Sequence, residues 1–364
     1  MISFGMTEDQ ELVGDAMREF AAEAMRPIAR ECDESAEIPA DFLDTVWSLG
    51  LTSTQIPESF GGAGEERSPV TNVILLEELA HGDAALAMAA LAPSLFANAV
   101  LDHGTDEQKA AILPLFCGES FATGALAMNE PASLSDAARP RTTAEQKGES
   151  FILSGRKTFV VFGDRASHFL VTAQLGDDVA VFIVPRDAAG LTVGDVERKM
   201  GLHALTTTGL ELERVEVGPE ALLGGAEGAD VQQIIDSSRA GLSAVMLGVS
   251  RAVLEYCVPY TKDRVAFDEP ISKKQSIAFR LAEMQIEVQA LRQLVWQAAS
   301  FLEHGEDATK AAWQARSYAA EKSMWIADNG VQVLGGHGFI REHPVEMWFR
   351  NARTLGVLEG MVAL

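Results

Sequence analysis

Glu359 is a lone carboxylate in an apolar run, with Gly356, Val357 and Leu358 before it and Gly360, Met361 and Val362 after it. A carboxyl buried in such a setting loses the solvation of its charged form, which raises its pKa and suits it to act as a base near neutral pH. Upstream, Val331-Gln332-Val333-Leu334-Gly335-Gly336-His337-Gly338-Phe339 ends a long helical pattern in a glycine cluster. Absent side chains at Gly335, Gly336 and Gly338 permit positive φ and let another molecule lie against the backbone. The same residues also suit a helix C-cap followed by a solvent-facing glutamate, and spacing alone leaves both readings open.

Other chemistries find less support. The seven His are scattered without Cys or Asp at ligand spacing, so no metal is expected. Cys32, Cys117 and Cys257 lie far apart and suggest a reducing compartment. Residues Met1 to Gln10 lack a basic-then-apolar leader pattern, so a cytoplasmic location is expected. A formal net charge of -24 argues against nucleic acid and anionic membranes as partners. It leaves room for a phosphorylated ligand in a local basic pocket.

The elements that must position these residues fall into three blocks. Up to about residue 120 the pattern is helical. Thr7 and Gln10 form a capping-box signature, Leu12, Ala16, Phe20 and Ala24 follow at steps of four, and Asp106 to Phe116 reads as a short capped helix. Asp41-Asp44 and Glu77-Glu78 read as solvated helix faces. The apolar window Ala84 to Leu101 is broken by Pro93, Ser94 and Asn98, so it reads as buried helix and no membrane span is expected. Between Phe121 and about residue 226, β-type runs at 151–153, 158–161, 168–173, 179–184 and 210–217 are separated by glycines, among them Gly155. The rest is helical again. Ser237 to Tyr260 and Thr309 to Leu334 are long helices, Pro259 is expected to kink or end the first, and Ile277, Leu281, Met284, Val288, Leu291, Val295, Ala298 and Leu302 form a bundle-type stripe.

Three segments in order, Gln332 to Phe339, Pro344-Val345-Glu346 and Glu359-Gly360, resemble the C-terminal region of the flavin-dependent acyl-CoA dehydrogenases, and the similarity runs over nearly the whole chain. The resemblance implies an α+β fold with an N-terminal all-α domain (1–120), a middle β-barrel-like domain (121–226) and a C-terminal helical bundle (227–364). It implies FAD as cofactor and assembly as a homodimer or homotetramer. Ala127 to Asp136 resembles the loop that holds the flavin pyrimidine and pyrophosphate, which implicates Met128, Asn129 and Ser135. Ser154 to Val161 resembles the strand backing the flavin ring, with Phe159 to stack on it and Val161 near N5. Arg264, Phe267 and Gln275 resemble residues that reach a neighbouring subunit's flavin, and a forked guanidinium suits a pyrophosphate. Gln332, Gly335 and Gly336 would meet the adenosine portion across the dimer. Asp236-Ser237-Ser238-Arg239 is read as opening a helix and resembles the acyl-CoA-binding segment, so Ser135, Asp236, Arg239 and Gly360 are the expected substrate contacts.

Departures from the family pattern are local. Asn129 stands where the family prefers Thr, Ala132-Ser133-Leu134 where it has glycines, Phe159 where it has Trp, and Val161 where it has a hydroxyl residue. Ser238 occupies the position from which some subfamilies supply their base, which leaves Glu359 as the candidate. Met361 replaces the usual Thr, and the sequence given stops at Leu364, without the further helix the family carries there. The function implied is α,β-desaturation of an acyl thioester. Glu359 would take the α-proton, a hydride would pass to flavin N5, the thioester oxygen would be polarised by a ribityl hydroxyl and the Glu359 N–H, and electrons would leave to an electron-transfer flavoprotein. Two other readings stand beside it: a dehydrogenase or oxidase acting on a carrier-protein thioester, and a weakly catalytic or non-catalytic subunit of a hetero-oligomer.

Overall fold

The computed structural model describes residues 5–132 and 135–364, so the expected departures at Ser133 and Leu134 lie outside the described residues. Helix α1 (Glu8–Phe20) starts with the capping box: Gln10 N–H donates to Thr7 Oγ1, and Thr7 N–H donates to the Gln10 side chain. Its buried side is Gly14 and Met17, while Leu12 is 70% exposed. The expected stripe through Leu12 and Ala16 therefore faces outward. The helix is turned so that Gly14 lies under Ile74 of α4 (Pro69–Gly82).

Helices α2 (Ala29–Ser35) and α3 (Ala40–Ser48) precede α4, and α7 (Asp106–Ile112) closes the block behind a Thr105–Gln108 capping box. Between them, the apolar window forms two buried helices, α5 (Ala84–Ala90) and α6 (Ala92–His103), bent by 43°. Glu77 and Glu78 of α4 are not solvated. Both are buried, and Arg251 Nη1 lies 2.8 Å from each, with Arg292 also on Glu77 and Arg18 on Glu78. These partners lie far away in sequence, which is why the pair of glutamates reads as a surface feature locally. Burial alone would raise the Glu78 pKa, but hydrogen bonds and charge from Arg18 and Arg251 hold it below the usual carboxylate range.

The middle block is one sheet. Its strands are β1 (Ala125–Ala127), β2 (Thr143–Lys147), β3 (Ser150–Val161), β4 (His168–Leu175), β5 (Asp178–Pro185), β6 (Leu191–Val196) and β7 (Thr207–Val217). The order is β1-β4-β2-β3-β7-β6, with β5 on the other side of β4. Residues 151–153 and 158–161, expected as separate runs, are one twelve-residue strand. Gly155 sits inside it at a register shift against β7, where a Cβ would come within 2.7 Å of Thr142 Cβ. A second shift, between Lys157 and Val160, holds Phe159 at φ +53°. Bulges of this kind re-aim a side chain out of the ladder.

The third block opens with α8 (Val231–Asp263), capped by Asp230, whose carboxylate accepts the Gln233 N–H. Asp236 to Arg239 therefore lie past the first turn rather than at the helix start. Pro259 neither ends nor splits α8, which buries Val253, Leu254, Cys257 and Thr261 around it. By length and composition α8 could cross a membrane, yet 83% of its most apolar window is buried inside the chain. A hairpin of β8 (Val265–Ala266) and β9 (Glu269–Pro270) leads to α9 (Gln275–Glu303), α10 (Thr309–Leu334) and α11 (Val345–Leu355). The stripe on α9 buries Met284, Val288, Leu291, Val295 and Ala298 among α8 and α10.

Candidate active site

Glu359 lies beyond α11, where three separate parts of the chain converge. Its side chain is 24% exposed. Glu359 Oε1 stands 3.5 Å from Arg239 Nε of α8 and 3.8 Å from Arg316 Nε of α10. The apolar setting read from its neighbours in sequence is therefore corrected: two cations from distant helices face the carboxylate. Among the described residues, Glu359 Oε2, Arg239 Nε and Arg316 Nε are buried without a hydrogen-bond partner. Buried polar atoms without partners are uncommon, and a cluster of them at one place marks a candidate for ligand binding.

The peptide groups around Glu359 are all held. The Leu358 carbonyl accepts from Arg316 Nη2 at 2.7 Å, and the Leu355 carbonyl accepts from the same nitrogen at 3.0 Å. The Gly360 N–H donates to Ser238 Oγ at 2.9 Å. Glu359 itself is paired with the side-chain amide of Asn129: Asn129 Nδ2 donates to the Glu359 carbonyl, and the Glu359 N–H donates to Asn129 Oδ1 at 3.2 Å. Gly360 has φ +65°, and a Cβ there would come within 2.9 Å of Met128 Cβ, so both the turn and the space require glycine. After it, Met361, Val362 and Leu364 are buried, and the Leu364 N–H donates to Ser237 Oγ.

These contacts add to the expected roles. Asn129 turns its amide onto Glu359, and the Glu359 N–H, expected to polarise a thioester oxygen, donates to Asn129 in this structure. The Met128 side chain is buried against Gly360. Asp236 is 2% exposed and accepts from Gln232 Nε2, with Arg239 at 3.9 Å. Burial pushes its carboxyl up, against the pull of Gln232 and Arg239. Arg239 is half-buried beside Glu359, its guanidinium 4.9 Å from the Trp313 ring centroid. Ser135 is exposed, and its hydroxyl accepts the Glu130 N–H.

The loop after β1 has its own buried support. Lys157 Nζ lies 2.9 Å from Glu130, whose carboxylate also accepts the N–H groups of Arg141 and Thr142. Burial pushes Lys157 down to about 8, with Glu130 opposing. Next to it, the Phe159 N–H donates to Glu197 Oε2 at 2.9 Å, and the Thr158 hydroxyl also donates to Glu197. Phe159 is half-buried, so its ring has an open side. Val161 is 1% exposed and packs into the helical core.

Sequence reasoning missed Arg316, Trp313, Glu197 and the tethering role of Ser238. Arg316 left a usable signal, because it stands among Ala311, Ala312, Ala315 and Ala319 on a buried apolar face. The remaining expected cofactor residues are on the outside of this single chain. Arg264, Gln275, Gln332, Gly335 and Gly336 are exposed, and Phe267 at the hairpin tip is 88% exposed. A Cβ on Gly335 or Gly336 would meet nothing within 4 Å. This open backbone, the half-buried Phe159 ring and the exposed Arg264 fit a flavin nucleotide.

Comparison with known proteins bears on the same site. Models of the acyl-CoA dehydrogenase N-terminal, middle and C-terminal domains match residues 7–120, 125–215 and 226–363. The chain is 34% identical over 365 residues to an acyl-CoA dehydrogenase of Bacillus subtilis (98% of this chain, 95% of the relative). It is 34% identical over 364 residues to a 3-(aryl)acrylate reductase of Clostridium sporogenes (97% and 95%). Its fold matches the butyryl-CoA dehydrogenase of Megasphaera elsdenii with a TM-score of 0.88 at 31% identity, covering 98% of this chain and 95% of that one.

Proposed function

The chain belongs to the acyl-CoA dehydrogenase family, and we propose that it oxidises the Cα–Cβ bond of an acyl thioester with Glu359 as the base for the α-proton. It is a flavin-dependent oxidoreductase of the CH–CH class, with an acyl-CoA as substrate and FAD as cofactor. The observation that carries the role of Glu359 is its buried, unpartnered Oε2 on a carboxylate whose flanking peptides are fixed by Asn129, Arg316 and Ser238.

Bound FAD supplies the acceptor for the hydride that leaves Cβ. The chain's own part is positional and electrostatic. Arg239 and Arg316 face Glu359 Oε1, while Oε2 has no hydrogen-bond partner and is left to receive a proton. With the main chain held on both sides, the carboxylate needs little reorganisation as the α-proton transfers. Phe159 supplies an apolar face for the flavin ring, with Glu197 fixing the backbone beneath it. Arg264, Phe267 and Gln275 would hold the flavin of a second copy, and Gln332, Gly335 and Gly336 would hold its adenosine end. The active unit is accordingly a homodimer or a homotetramer. Electrons leave to an electron-transfer flavoprotein, and the protein works in the cytoplasm.

The protein purified alone is expected to be yellow and to release FAD on denaturation, which absorbance and mass spectrometry of the released nucleotide would measure. A colourless protein that takes up no added FAD contradicts the proposal for this chain acting as its own homo-oligomer.

A further inference from the structure

Asn129 joins the two sides across which the reaction runs. Its side-chain amide makes both hydrogen bonds to Glu359, one to the carbonyl and one from the N–H. Its own carbonyl accepts the Thr158 N–H at 3.0 Å. Thr158 is followed by Phe159, and both are pinned by Glu197. One residue therefore connects the strand proposed to back the flavin with the peptide that carries the proposed base. The carboxamide has one donor side and one acceptor side, and it holds the two peptide groups that flank the Glu359 Cα, one by its N–H and the other by its carbonyl.

We propose that Asn129 is the positioning residue of this site: it sets the placement of Glu359 relative to the flavin-backing strand and thereby the distance between the α-proton and the base. This rests on the reading of Glu359 as the base. Asn129 acts on the reaction through the main chain of Glu359. The amide meets the Glu359 N–H and the Glu359 carbonyl with two separate atoms, one acceptor and one donor, whereas a hydroxyl side chain has a single oxygen for both.

The test uses Asn129→Ala and the isosteric Asn129→Asp in the FAD-loaded protein. The Asp variant still accepts the Glu359 N–H but sets an oxygen against the Glu359 carbonyl. Both variants are expected to retain FAD and to bind a saturated acyl-CoA within a fewfold of the parent. Flavin reduction by substrate is expected to fall about 10- to 100-fold, the scale of a misplaced catalytic group. The slowing should appear in kcat and not in KM. The deuterium isotope effect from the α-position should rise relative to that from the β-position. Without substrate, amide hydrogen exchange at Glu359 should become faster in Asn129→Ala. Parent-like reduction rates and isotope effects in both variants overturn the inference, as does loss of FAD with Glu359 exchange unchanged, which would make Asn129 a flavin-holding residue. A parent protein that holds FAD but is reduced by no acyl thioester would instead overturn the functional reading on which the inference rests.

Discussion

Glu359→Gln is expected to lose flavin reduction by acyl-CoA on the order of 10²–10⁴-fold, the contribution of a positioned proton acceptor. Glutamine keeps the length and shape of the side chain. The contacts that place residue 359 are main-chain contacts, through Asn129, Arg316 and Ser238, so the substitution leaves them intact. The variant should therefore fold, assemble and retain FAD as the parent does. What it loses is the proton-accepting charge beside Arg239 and Arg316. Stopped-flow reduction with a saturated acyl-CoA reads the loss directly, and far-ultraviolet circular dichroism with FAD content controls for folding. Reduction at near-parent rate would remove Glu359 from the role.

Arg251→Met should cost about 3–5 kcal/mol of stability, the range seen when one member of a buried ion pair is removed and its partner is left charged and dry. Arg251 is 8% exposed, and it lies between Glu77 and Glu78, themselves 4% and 6% exposed. Burial alone would lower the Arg251 pKa; the charges of Glu77 and Glu78 reverse this and raise it. Arg292 and Arg18 are not enough to replace it, because each contacts only one of the two glutamates. Arg156→Met is the control. Arg156 also pairs with a carboxylate, Glu211, but its side chain is 70% exposed, so the loss should be below about 1 kcal/mol. Urea unfolding midpoints of the two variants make the comparison. Equal small shifts would mean that the α4–α8 ion cluster contributes no more than a surface pair.

The three-block order was legible because each block carries its own periodicity: steps of three and four along α9, strand runs parted by glycines in the sheet, and the capping box at Thr7. The place of Glu359 was legible because an unusual run, glycines and then an isolated Glu-Gly, is confined to one stretch. Its surroundings were not. Arg239 and Arg316 reach it from two different helices, and no local pattern encodes that convergence. Glu77 and Glu78 were misread for the same reason, since their partner Arg251 is a lone cation within the apolar run of α8 and becomes informative only when the helices are packed. The Asn129 contact was hidden by the resemblance itself, which put a flavin-binding role at that position. The early start of α8 follows from Asp230, a capping residue outweighed in the sequence reading by the Asp-Ser-Ser-Arg run that follows it.

Anaerobic titration of the purified, FAD-containing protein with saturated acyl-CoAs tests the central claim most directly. With a short straight-chain, a branched or an aryl-substituted acyl-CoA, at least one should bleach the visible flavin absorption without any added acceptor, and an equal amount of α,β-unsaturated thioester should form. A protein that keeps its oxidised flavin spectrum through the whole panel, with no unsaturated product by mass spectrometry, would contradict the account.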